Sequence, residues 1–317
     1  MLNSLKLIKN YDKSTHISRI PAKTNILENL EYIYEPNWDI NPDSAPYEII
    51  TQLMDCYYCL PERPDLAALF CWQAINNSYN QYLLVDPSTQ RLQDTKGIIE
   101  LISHINGNAT KYLPYLMPYY MNITDKTYRY VASYILKGYA IDQSGFSEKY
   151  LSSSYVTFKK KFHVIFPIIA NSYGYAYHAI TSATLIGNKV LLNINDSDKS
   201  RKIIHSFSLK LRELIENGTT EIDTKYPTST RQTINFSDED KITFVLFSIL
   251  YASRCNNFHG NVASRLNSIY ANQESFAMYT NIFLLEYITL AISLNEQNIL
   301  SDSSLSKLKA NESLIIT

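Results

Sequence analysis

The chain has 317 residues, with 29 basic side chains against 30 acidic ones and only eight glycines. Near-neutral charge excludes a global field for drawing in polyanions, so any nucleic-acid contact must be local. Scarce glycine argues against an all-β sandwich and towards helices, in one large domain or two small ones.

The opening stretch, MLNSLKLIKNYDKS, is too short and too polar for an export signal, and no charge-free run approaches about 18 apolar residues. Cys56, Cys59, Cys71 and Cys255 then fit free thiols in a reducing compartment. The expectation is a cytoplasmic protein with no membrane span.

Residues 1–45, with Pro21, Pro36 and Pro42, read as an irregular arm with room for one short helix. A helix follows over about 46–60, with Pro46 in its first turn. In the next, Ala68, Trp72, Ile75, Tyr79 and Tyr82 recur at steps of four and three. That spacing lays one apolar stripe along a helix over 64–83, interrupted by Asn76 and Asn77.

The segment 84–236 reads less clearly. LPYLMPYYMNIT is broken by prolines, and SSSYVTFKKKFHVIFPIIANSYG suggests a helix reaching Pro167. KVLLNIND resembles a short strand, SDKSRKIIHSFSLKLRELIENG a helix stopped by Gly218, and NGTTEIDTKYPTSTRQ a loop. Ser237 is placed to cap a helix over 237–259, with Asp238, Glu239 and Asp240 in its first turn. A last strong helix begins near Asn272 and continues through Leu294. The expected fold class is mainly α, a single domain with core helices over about 46–83 and 237–296 and a variable middle.

The run RCNNFHG ends the 237–259 helix and carries the candidate chemistry. Arg254 continues the row Leu246–Leu250 by one turn, where a charge is costly unless it is paired or wet. His259 lies five residues on, about 140° around a regular helix. The two side chains therefore share no face unless the segment distorts or meets a symmetric partner. Capping of the helix's last carbonyls is the competing reading of both residues.

RCNNFHG resembles the R-x4–6-H motif of the HEPN superfamily. LFCWQAINNSYN resembles the N-terminal core helix of the same proteins, through Trp72, Asn76 and Tyr79. The likeness covers about a quarter of the chain. It implies a HEPN-like helical bundle that pairs as a homodimer, and an endoribonuclease of a toxin, abortive-infection or antiviral defence system. Arg254 and His259 are then the catalytic pair, with Asn256, Asn257 and Asn76 as auxiliary groups and RNA as substrate. The implied chemistry uses no cofactor and no metal, because RNA brings its own nucleophile, the 2′-OH. An inhibitory or activating partner protein is also implied. Cys255 departs from the usual polar residue after the arginine, which puts activity in doubt. Asn261 stands where members modified by AMP transfer carry tyrosine, so that regulation is not expected.

Two other constellations compete for attention. Cys56 and Cys59 have C-x2-C spacing without a second pair, and read as core thiols. Lys159, Lys160 and Lys161, flanked by Phe158 and Phe162, could grip RNA or simply face water. The alternative to an enzyme is a catalytically silent HEPN module that binds a partner protein or nucleotide.

Overall fold

The computed structural model describes residues 2–20, 26–38, 41, 45–84, 94–225, 228–254, 266–268 and 271–317. The protein is mainly helical, with two small antiparallel hairpins in its middle. It divides into two compact units, residues 1–124 with 256–317, and residues 125–255. The expected single core of 46–83 with 237–296 is therefore split, because 238–254 belongs to the second unit.

Unit 1 opens with α1 (Leu2–Lys9) and α2 (Lys13–Ser18), two helices where one at most was expected. Asp12 sets the start of α2 by accepting the Thr15 backbone N–H at 2.7 Å. Helices α3 (Ala45–Cys59) and α4 (Pro64–Leu84) follow as the periodicity predicts. Pro64 begins α4, where its missing N–H costs nothing. Arg63, just before it, forks onto Asp65 at 2.8 and 2.9 Å. The stripe is buried at Ala68, Trp72, Ile75 and Tyr79, while the Tyr82 side chain lies outside the described residues.

After α5 (Asp94–Gly107), α6 (Ala109–Tyr120) runs through Pro114 and Pro118, against the expected break. Burial of Tyr112, Leu116, Tyr119 and Tyr120 outweighs the lost N–H donors, since tertiary packing rather than propensity decides most helices.

Unit 2 begins with α7 (Asp125–Gln143) and α8 (Ser153–Lys161). The helix expected to reach Pro167 instead stops at Phe162. A new helix, α9 (166–178), starts with Pro167 in its first turn and turns π-helical over Ala170–Gly174. Gly138 on α7 is required by packing: a Cβ there would sit 2.3 Å from the Tyr155 ring.

Strands β1 (Thr181–Ile186) and β2 (Lys189–Ile194) pair from Thr181↔Ile194 to Ile186↔Lys189. Only β2 was expected. Helix α10 (Ser197–Asn217) ends at Gly218, whose φ of 72° is the left-handed stop that glycine supplies. The expected loop after it is a hairpin, β3 (Thr219–Thr224) with β4 (Thr230–Asn235). Its inward face in β3 is Thr220, Ile222 and Thr224, so polar threonines conceal the alternation. Helix α11 (238–254) closes the unit.

The chain then returns to unit 1 with α12 (Gln273–Glu296) and α13 (Asp302–Lys307). Helix α12 is long and apolar enough to cross a membrane, but 89% of its most apolar window is buried. It is a core helix that packs on α4, which in turn packs on α3.

Candidate functional site

Arg254 stands at the last described residue of α11, and the helix is built to hold it. Ser237 and Asp240 form a reciprocal capping box at its start. The stripe read as α-helical continues as a π-helix over Phe244–Tyr251, and all eight of those side chains are buried. A π segment displaces the backbone register and leaves carbonyls needing donors. Two tyrosines of α7 supply them: Tyr134 Oη donates to the Ser248 carbonyl at 3.0 Å and Tyr130 Oη to that of Ala252 at 3.1 Å. Burial raises the Tyr134 pKa far above its ordinary value, so it remains a neutral donor.

Arg254 itself is half-buried, with its guanidinium carbon 5.9 Å from the centroid of the Tyr251 ring. At that distance the cation is attracted by the ring's electron-rich face.

Cys255, Asn256, Asn257 and His259 lie outside the described residues. Of the Arg254–His259 pair, Arg254 alone falls among the described residues. Asn76 is half-buried on α4 and accepts a hydrogen bond from Tyr79 Oη, one turn along the same helix. That bond accounts for a polar residue inside the apolar stripe. Trp72 and Tyr79 of the same pattern are core side chains. Asn76 and Arg254 fall in different units.

Phe158 and Phe162 are buried in the aromatic core of unit 2 and offer no exposed ring for a base. Lys159 pairs with Asp142 at 2.6 Å, Lys160 with Glu148 at 3.1 Å, and Lys161 lies over the Phe247 ring. Cys56, Cys59 and Cys71 are buried free thiols, as expected of core residues. Burial, then the neighbouring Cys56, pushes the Cys59 thiol up to about 11, which suppresses its thiolate. Among the described residues no group of three or more His, Cys, Asp and Glu side chains could hold a metal ion.

A basic and aromatic cluster at the start of unit 1 escaped the sequence reading. Residues 1–20 carry Lys6, Lys9, Lys13 and Arg19 against a single acid, Asp12, within a chain of net charge −1. That local imbalance was the available signal, and Tyr58, far along the chain, completes the cluster only in the fold.

No protein-family model, no curated protein and no solved structure matches the chain.

Proposed function

We propose that this protein is a metal-independent endoribonuclease of HEPN type, acting in a defence or toxin system within a reducing cytoplasm. The observation that carries the reading is the placement of Arg254. It is the first member of the R-x4-H run, half-buried at the last described residue of a capped helix whose π-helical segment, Phe244–Tyr251, is wholly buried. A site on a rigid element holds its geometry better than one on a loop. A guanidinium held there is suited to fork onto two phosphate oxygens.

In this mechanism the imidazole of His259 takes the proton of the RNA 2′-OH. The 2′ oxygen forms its bond to phosphorus as the bond to the 5′ oxygen breaks, and the departing oxygen takes up a proton. Arg254 offsets the negative charge that builds on the phosphate. Asn256 and Asn257 stand as auxiliary groups, while Asn76, bonded to Tyr79 within unit 1, is left to its structural role. The products are a 2′,3′-cyclic phosphate and a 5′-OH. The offset between Arg254 and His259 further favours a homodimer in which the 254–259 segments of two copies meet. A partner protein would then restrain or release activity.

Cys255, in place of the usual polar residue, favours a second reading, a catalytically silent module that binds a partner or nucleotide. Incubation of RNA with wild type and with His259→Ala, in EDTA, separates the two. The nuclease should lose about 10²–10⁴-fold in rate with His259→Ala, and its product ends should be cyclic phosphate. A requirement for Mg²⁺, 5′-phosphate ends, or cutting at a position lacking its 2′-OH would overturn the mechanism. No cleavage by wild type under any condition would favour the silent module.

A further inference from the structure

The start of unit 1 gathers the groups that a single-stranded polyanion with stacking bases requires. Helices α1 and α2 and the residues around them frame a groove of about 390 Å³ lined by Lys6, Leu7, Asn10, Asp12, Thr15 and Arg19. Asp12 is committed within it, accepting from the Thr15 N–H and the Ser14 hydroxyl, both at 2.7 Å. Its carboxylate caps α2 and stays ionised, since the same bonds lower its pKa, and Lys6 with Arg19 outweigh it by one charge.

Two large rings stand in water around the same helices. Tyr58, near the end of α3, is 78% exposed, and Tyr11, between α1 and α2, is 66% exposed. Lys13 Nζ lies 5.6 Å from the Tyr58 centroid, and the His16 ring lies 5.9 Å from that of Tyr11. Burial, then the nearby charges of Arg63 and Arg19, lowers the His16 pKa and favours its neutral ring.

A ring beside an ammonium can stack a base and hold the adjoining phosphate at once. We infer that the surface around α2 binds single-stranded RNA, with Lys13, Tyr58 and Tyr11 as its ring-and-cation contact and the groove cations Lys6 and Arg19 supporting it by charge. The polymer's identity as RNA rests on the proposed nuclease reading; the site itself rests on the groove, the cations and the rings. A duplex would satisfy the cations but hide its bases from Tyr11 and Tyr58, so the site selects single strands.

The test uses the full chain carrying His259→Ala, so that bound RNA is not cut. The probe is a fluorescein-labelled single-stranded RNA of roughly a dozen nucleotides, within the range one such surface covers, read by anisotropy. Tyr58→Ala should weaken binding about 5- to 100-fold, while Tyr58→Phe should retain it, since stacking needs the ring and not the hydroxyl. Lys13→Ala should reduce the slope of log affinity against log salt by about 0.7. Tyr58 is exposed, so its substitution leaves the fold intact, which circular dichroism checks.

RNA affinity unchanged by both Tyr58→Ala and Lys13→Ala would overturn the site. So would equal affinity for duplex RNA, or capture by phosphatidylglycerol vesicles without any RNA binding. RNA held through Tyr58 but never cut by wild type would sink the nuclease reading and leave this site standing. Cleavage that depends on His259, with binding indifferent to Tyr58 and Lys13, would do the reverse.

Discussion

The two units bury their interiors by different means. In unit 1 the helices α3, α4 and α12 present apolar faces to one another, and hydroxyl pairs are threaded between them. Ser78 and Ser293 approach at 2.7 Å, as do the hydroxyls of Tyr57 and Tyr287, and Tyr287 Oη also accepts the Ile33 N–H at 2.8 Å. In unit 2 the interior is made of rings. Phe162 stacks on Phe236 with centroids 5.5 Å apart, and Phe244 meets Phe158, Phe162 and Phe236 within 6.4 Å. Most polar groups buried between packed helices find partners in this way. A ring cluster tolerates irregular backbone, because each large side chain spans the gaps that π-helical turns open.

The largest expected effect tests whether these are two cores. Phe244 is fully buried among three other rings, so Phe244→Ala should cost about 3–5 kcal/mol. Both tryptophans, Trp38 and Trp72, lie in unit 1 and report on it alone. Denaturation followed by circular dichroism should shift strongly, while the tryptophan-fluorescence transition shifts less. Coincident shifts of both signals would show one cooperative structure and erase the distinction.

The same contrast explains what could be read in advance. The helices 45–59, 64–84 and 273–296 were legible because α-helical spacing and their first-turn or capping signals, Pro46, Pro64 and Asn272, agree. The start of α11 was legible for the same reason, through Ser237. Its interior was read as an α-helical stripe, because a π segment buried all round also offers apolar residues at those spacings. The β3–β4 hairpin hid behind buried threonines, and α6 behind prolines that its packed tyrosines override. Of the candidate site, Arg254 could be assigned from sequence to the helix that Ser237 starts, and it is the last described residue of that helix. Asn76 could not be resolved between catalysis and structure until Tyr79 was seen to bond it. The Tyr58–Lys13 pairing joins residues 45 positions apart, beyond the reach of any local pattern.

Acid–base behaviour separates the units at a second level. Glu286 on α12 is fully buried, and its Oε2 lacks a hydrogen-bond partner among the described residues. Desolvation first, then nearby Cys56, holds its carboxyl well above the ordinary 4.5. Below that ordinary value both folded and unfolded chains keep the proton, and no stability depends on it. As pH rises above it, the unfolded chain ionises first. Folding then loses up to about 1.4 kcal/mol per pH unit until the folded carboxyl also ionises. Glu286→Gln should flatten this slope in urea titrations followed by tryptophan fluorescence, and should gain on wild type as pH rises from 5 to 8. The buried tyrosines of unit 2, Tyr128, Tyr134 and Tyr155, have pKa values raised above 10 and contribute no slope in that range. An unchanged slope in Glu286→Gln would place the pH dependence elsewhere.

The smallest effect bears on which unit carries the proposed RNA contact. The lysines of α8 form the longest basic run, yet the two phenylalanines beside them point into the core and cannot stack a base. Lys160 and Glu148 are both about two-thirds exposed, and such a pair contributes roughly 0–1 kcal/mol at most. Lys160→Ala should therefore leave stability within about 0.5 kcal/mol of wild type, and RNA affinity and its salt slope unchanged. Lys13→Ala carries the same change of charge and should lower that slope. Equal total charge in the two variants removes any general electrostatic explanation, since long-range attraction would respond to both alike. If Lys160→Ala weakened RNA binding as much as Lys13→Ala, a lysine without a ring would suffice for the contact. The role assigned to Tyr58 would then fail, and the grip would belong to unit 2.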